Sequence, residues 1–213
     1  MKVALLGGTG FVGTAVRAEL LRRGHEVTLC TREPSRVVPE ERLEVVALDV
    51  FDGTQVAERV RDHDVVVSAF NAGWRNPRLY EDYLRGMKAI VAGVKSSGVR
   101  RLLIVGGAGS LEVAPGVQFV DTPEFPPAGK AGALAAREAL HLIRTEHKLE
   151  WTFLSPPFHV EDGPRTAMYR TGQDSPVVGA NQTSHISVAD LAVAIVDEVE
   201  RPQHVRKRFT VGY

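Results

Sequence analysis

Cysteine is nearly absent from this chain: Cys30 stands alone among 213 residues. A single thiol excludes an internal disulfide and any metal site built from several cysteines. Neither sign of charge dominates, since 26 basic and 26 acidic residues give a formal net charge of zero. That balance removes the electrostatic case for a nucleic-acid or anionic-membrane partner. No apolar run approaches the roughly 20 residues that a membrane-crossing helix needs. The chain opens directly on a strand-like run, so no signal peptide is expected and the expected location is cytoplasmic. The G-x-S-x-G elbow of serine hydrolases is missing. His141 and His147 stand six apart, which puts them on different faces of a helix, and no other spacing suits a metal. What remains, 44% hydrophobic and 24% charged, is ordinary globular composition, and residues 1–213 read as one domain.

The informative stretch comes first. Lys2 to Leu6 is a short apolar run suited to a strand buried on both faces, and it breaks into Gly7-Gly8-Thr9-Gly10-Phe11-Val12-Gly13. Beyond it, Val12, Val16 and Leu20 recur on one helical stripe. Each of the three spaced glycines has a physical task. Gly7 allows a tight turn off the strand, Gly10 lets a pyrophosphate approach the backbone, and Gly13 lets the helix pack close to the sheet. The helix start adds free N–H groups and partial positive charge. From this stretch Gly7, Thr9, Gly10, Phe11 and Val12 are the candidate cofactor-binding residues.

Strand and helix patterns then alternate, which argues an α/β fold with a doubly wound, mostly parallel sheet. Strands are expected at Glu26 to Thr31, Leu43 to Leu48, Asp64 to Phe70, Arg101 to Val105 and Trp151 to Ser155. Helices are expected at Asp52 to Val60, Arg78 to Ser97, Ala128 to Glu146 and Ser187 to Glu200. Ser187 with Asp190 resembles a capping box, and Phe209, Val211 and Tyr213 alternate like a terminal strand. Glu161 to Asn181 has little periodicity, so residues 156–186 are expected to cover the sheet's carboxyl edge on the substrate side.

In such a sheet the ligand lies outside the carboxyl ends of the strands. Arg32 follows the second strand, where an acidic residue would select NAD; a permanently charged, planar guanidinium suits a 2′-phosphate instead. NADP(H) is therefore preferred over NAD(H), the alternative being a solvated Arg32 with Glu33 selecting. Asp49 and Val50 follow the third strand, placed to bind and pack on the adenine, although a turn aspartate is an equally natural reading of Asp49. Ala69 and Phe70 are expected beside the ribose. Gly106, Gly107, Pro156 and Phe158 are expected on the nicotinamide side.

The glycine pattern, Arg32, Asp49-Val50, Ser68 to Asn71, Val105 to Ser110 and the ending Arg208 to Tyr213 together resemble one family. It is the atypical short-chain dehydrogenase/reductase group of NAD(P)H-binding proteins, including NmrA-like, flavin reductase-like and epimerase/dehydratase-labelled chains. The resemblance covers the whole chain and implies a Rossmann fold. One departure matters. Carbonyl-reducing members use a Tyr four residues before a Lys, and here Pro126 precedes Lys130. The usual serine after the fifth strand is replaced by Gly107 or Ala108, unless Ser110 reaches back. Lys130, Ser110 and His159 remain as catalytic candidates, and Trp74 and Tyr80 as residues that stack on a planar acceptor or merely pack. The reading is hydride transfer from NADPH to a flavin- or quinone-like small molecule, by a monomer or homodimer with no nucleic-acid or membrane partner. A non-catalytic NmrA-like NADP sensor is the alternative, and an NAD-dependent epimerase or dehydratase the third.

Overall fold

The computed structural model describes residues 1–180 and 182–213; Asn181, the last residue of the aperiodic stretch, lies outside the described residues. The chain runs β1 (Lys2–Leu6), α1 (Phe11–Arg22), β2 (Glu26–Thr31), β3 (Leu43–Ala47), α2 (Gly53–Val60), β4 (Val65–Ser68), α3 (Leu79–Ser97) and β5 (Arg101–Val105). A small hairpin, β6 (Glu112–Ala114) with β7 (Val117–Gln118), precedes α4 (Lys130–Arg144) and β8 (Glu150–Ser155). Then come β9 (His159–Glu161), β10 (Arg170–Gly172), β11 (His185–Ser187), α5 (Val188–Glu200) and β12 (Lys207–Gly212).

The main sheet is doubly wound, in the order β10-β12-β8-β5-β4-β1-β2-β3, and all its pairings are parallel except β10 with β12. β1 shows why. Ala4 and Leu6 pack towards α2, α3 and α4, whereas Val3 and Leu5 pack towards α1 and α5, and all four are fully buried. A strand covered on both faces reads as a continuous apolar run rather than an alternation. No described helix is long and apolar enough to cross a membrane.

Two expectations need correction, the capping box of α5 and the start of α4. The terminal strand forms as β12, with Phe209 and Val211 packed towards α5, and Arg208 and Thr210 on its other face are buried as well. The segment expected as a cover also supplies an edge strand of the sheet, and β9 pairs with β11 beside it. Ser187 caps α5 by accepting from Asp190 N at 3.0 Å, but the Asp190 carboxylate does not return the bond. It accepts instead from Thr166 N, Ala167 N, Thr166 Oγ1 and Tyr213 Oη, tying residues 166–167 and Tyr213 to the helix start. The expected fourth helix also begins later, at Lys130, since Pro126 and Pro127 lead into a short 3-10 turn over Pro127–Gly129.

Candidate functional site

Register sets the site. Leu6 lies opposite both Cys30 and Ser68, so Gly7, Thr31 and Ala69 leave the sheet side by side at its carboxyl edge. The strand order reverses between β1 and β4, which makes this the switch point of the sheet. Gly7 sits at φ +76°, and a Cβ there would lie 2.5 Å from Ala69 O. A Cβ on Gly13 would lie 2.1 Å from Gly7 O. Both glycines are required by the chain's own packing. Gly10 is different: the nearest atom to a Cβ there is Gly7 O at 3.5 Å, an ordinary contact. Nothing in the protein demands a bare backbone at Gly10, yet Gly10 lines a cleft of about 280 Å³. The first turn of α1 has no side-chain cap and no acidic residue, so the N–H groups of Phe11, Val12 and Gly13 lack side-chain acceptors. Open donors, a favourable dipole and an unencumbered Gly10 together make a cradle for a phosphate.

One end of the cleft is formed by Cys30, Thr31 and Arg32 after β2, and by Leu48, Val50 and Phe51 after β3. Burial pushes the Cys30 thiol up to about 12, which favours its neutral form. Arg32 is exposed and makes no hydrogen bond or ion pair with any described residue, whereas Glu33 turns to Arg36 at 2.8 Å. Asp49 is exposed, its Oδ1 accepts from Phe51 N at 3.0 Å in a turn, and it does not line the cleft.

The other end is formed by Ala69, Phe70, Asn71 and Ala72, with Asn76 and Asp82 behind them. Phe70 stacks on Tyr83 with ring centres 5.9 Å apart and meets the edge of Phe51 at 6.2 Å. Asn76 donates to Ala72 O at 3.3 Å and to Asp82 Oδ2 at 2.9 Å. The sequence had not singled out Thr31, Phe51, Asn76 or Asp82. Thr31 and Phe51 adjoin residues already chosen at strand ends, so a wider reading of those ends finds them. Asn76 and Asp82 depend on how the loop after β4 folds back on α3, and no local signal announces that.

Of the expected cofactor residues, the cleft gathers Gly7, Thr9, Gly10, Arg32, Val50, Ala69 and Phe70. Phe11 and Val12 open α1 and do not line the cleft. Gly106, Gly107, Pro156 and Phe158 do not line it. A Cβ on Gly106 would lie 2.0 Å from the Phe153 ring, so the core explains that glycine. Phe158 stacks on Phe119 at 4.1 Å, and Phe119 meets Phe125 at 4.9 Å. The connection carrying these rings is fixed to α4, where Arg137 donates to Gln118 and Asp121. Ser110 does not reach back. A 3-10 turn over Ala108–Ser110 carries it inward beneath Arg208, which donates to Ser110 O and Ser155 Oγ and pairs with Asp174. Lys130 and His159 are exposed, and neither side chain is bonded to a described residue.

The sheet, its switch point and the glycine turn with an open helix start define a dinucleotide-binding Rossmann protein. The family is shown directly. The chain belongs to the NAD(P)H-binding family, whose model matches residues 7–199. It is 39% identical over 214 residues to YwnB, an uncharacterized protein of Bacillus subtilis (strain 168), spanning 99% of this chain and 98% of that one. A proposed epimerase from Bacteroides thetaiotaomicron has the same fold with a TM-score of 0.93 and 41% identity, covering 100% of this chain and 96% of that chain. A proposed NADH-flavin reductase from Streptococcus pneumoniae TIGR4 aligns with a TM-score of 0.87 and 31% identity, covering 100% and 99%. These neighbours carry the labels found in the atypical short-chain dehydrogenase/reductase group.

Proposed function

We propose that this protein is a cytoplasmic NAD(P)H-dependent oxidoreductase that prefers NADPH and reduces a flavin- or quinone-like small molecule. The observation that carries the reading is the cradle at Gly10: a glycine that packing does not require, beside open first-turn amides, on the wall of a cleft. Gly7, Gly10 and the α1 amides would hold the pyrophosphate, Val50 and Phe51 the adenine, and Ala69 and Phe70 the ribose on the nicotinamide side. The preference for NADPH rests on Arg32, whose guanidinium has no partner among the described residues. When bound, the dinucleotide supplies two electrons and a proton as hydride, and water supplies the second proton that completes a dihydroflavin or hydroquinone.

Pro126, standing four residues before Lys130, has no proton to give. That favours an acceptor able to take hydride without a protein acid, and disfavours carbonyl reduction or tyrosine-dependent epimerisation. The protein's part is then binding, orientation and exclusion of water. The test is a titration with NADPH, NADP+, NADH and NAD+, followed by NADPH oxidation against FMN, riboflavin and a naphthoquinone. Tight NADPH binding with turnover supports the reductase. Binding without turnover on any acceptor contradicts it in favour of a sensor, and no binding overturns the dinucleotide site itself.

A further inference from the structure

Trp74 is 70% exposed, an unusual state for an indole, and it stands on a loop that is anything but loose. Asn71 Oδ1 accepts from Gly73 N at 2.7 Å, and Asn76 N donates to Gly73 O at 2.9 Å. Asn76 then binds Ala72 O, Asp82 and Arg78 N, so one side chain locks both ends of the loop. Asn71, Ala72 and Asn76 belong to the cleft wall, which puts the loop carrying Trp74 at the margin of the dinucleotide site. One edge of the indole is seated on the protein. A Cβ on Gly132 would lie 2.9 Å from Trp74 Cζ3, so the ring rests on the first turn of α4, two residues from the unpartnered Lys130. Its Nε1 has no hydrogen-bond partner among the described residues, unlike that of the buried Trp151, which donates to Glu146 O at 3.1 Å. A rigid loop, a glycine shelf and a bare aromatic face are what a stacking platform requires.

We propose that Trp74 is the surface on which the hydride acceptor's conjugated ring stacks, and that it selects planar acceptors over flexible ones. This rests on the reductase reading, and it adds the residue that sets substrate class. Stacking is tolerant of substituents because any conjugated ring offers a π-face. Flavins and quinones are therefore both accommodated, and an aliphatic carbonyl is not.

Riboflavin serves as the probe, because its own emission is quenched when it stacks on an indole. Wild-type protein saturated with NADP+ is expected to quench riboflavin emission saturably. Trp74→Ala is expected to raise the riboflavin Kd at least tenfold while the NADPH Kd moves less than twofold. Trp74→Phe, which keeps a smaller ring, is expected to bind within about threefold of wild type. Gly132→Ala, which crowds the indole without removing it, is expected to fall between. Matching thermal unfolding of the variants separates lost stacking from lost fold. A naphthoquinone, read through competition with riboflavin, shows whether both acceptor types share the platform. Unchanged riboflavin and quinone binding in Trp74→Ala, with turnover intact, would overturn the platform and leave the reductase standing. A wild type that binds NADPH but neither ring, and reduces neither, would overturn both.

Discussion

Two regions of this molecule treat charge and hydrogen bonding in opposite ways. Around the cleft, capacity is left open: among the described residues Arg32 has no partner, the first turn of α1 has no side-chain cap, and no atom comes closer than 3.5 Å to a Cβ at Gly10. On the far side of α1, capacity is saturated. Glu19 is 4% exposed and receives three guanidiniums, from Arg22, Arg23 and Arg165, at 2.6–2.9 Å. Arg23 also reaches Asp197 and Glu200, and Glu200 holds His25. Asp190 takes bonds from three residues of the carboxy-terminal quarter. The two regions share one helix, yet only one of them is finished without a ligand. The saturated cluster ties the carboxy-terminal quarter to α1, and the open one lies on the wall of the cleft.

The largest effect that would sharpen this contrast is at Gly13. Its absent side chain is demanded by Gly7 O, so Gly13→Ala is expected to cost about 3 kcal/mol in urea unfolding and to abolish NADPH binding. Next comes the saturated side. Glu19→Gln is expected to cost about 2–3 kcal/mol, below the full cost of breaking a buried pair because Arg22 and Arg165 are exposed enough to be rehydrated. The arginines hold the Glu19 carboxyl far below its ordinary range, against the burial that pushes it up. Asp190 is held down too: burial opposes it, and the bonds from Thr166 and Tyr213 prevail. A depressed carboxyl stabilises the fold fully above its unfolded pKa and loses that contribution as pH falls towards its folded value. Wild-type stability is therefore expected to fall below about pH 4, and Glu19→Gln to flatten that slope.

A third effect is confined to affinity. Arg32→Ala is expected to leave the unfolding midpoint unchanged and to raise the Kd for NADPH tenfold or more, with NADH unaffected. That is the loss of one charge-assisted contact of about 1.5–3 kcal/mol. Equal losses for both cofactors would mean that Arg32 does not read the 2′-phosphate. The smallest effect is at His159, exposed and unbonded: His159→Ala is expected to change stability by less than about 0.5 kcal/mol and turnover by less than twofold.

The positions of the first five main-sheet strands along the chain were legible because each is a short apolar run set off by turn residues and helical stripes. The cleft's core was legible for the same reason, since Gly7, Gly10, Arg32, Val50 and Ala69 all lie next to strand ends that local pattern locates. What escaped is non-local or too short. β7 has two residues and β6, β9, β10 and β11 have three each, fewer than any periodicity needs. The burial of Arg208 between Ser110, Ser155 and Asp174 likewise depends on the fold and on no local pattern. Asp49 carried two readings, of which the bond from Phe51 N shows the turn.

The central claim is that Gly10 is a glycine for the ligand and not for the fold. The measurement is Gly10→Ala, followed by urea unfolding and NADPH titration on the same sample. Stability is expected to stay within about 1 kcal/mol of wild type, because the new methyl meets nothing closer than 3.5 Å. The NADPH Kd is expected to rise at least tenfold, because that methyl occupies the space left for the pyrophosphate. Unchanged affinity in a stable Gly10→Ala protein would contradict the account.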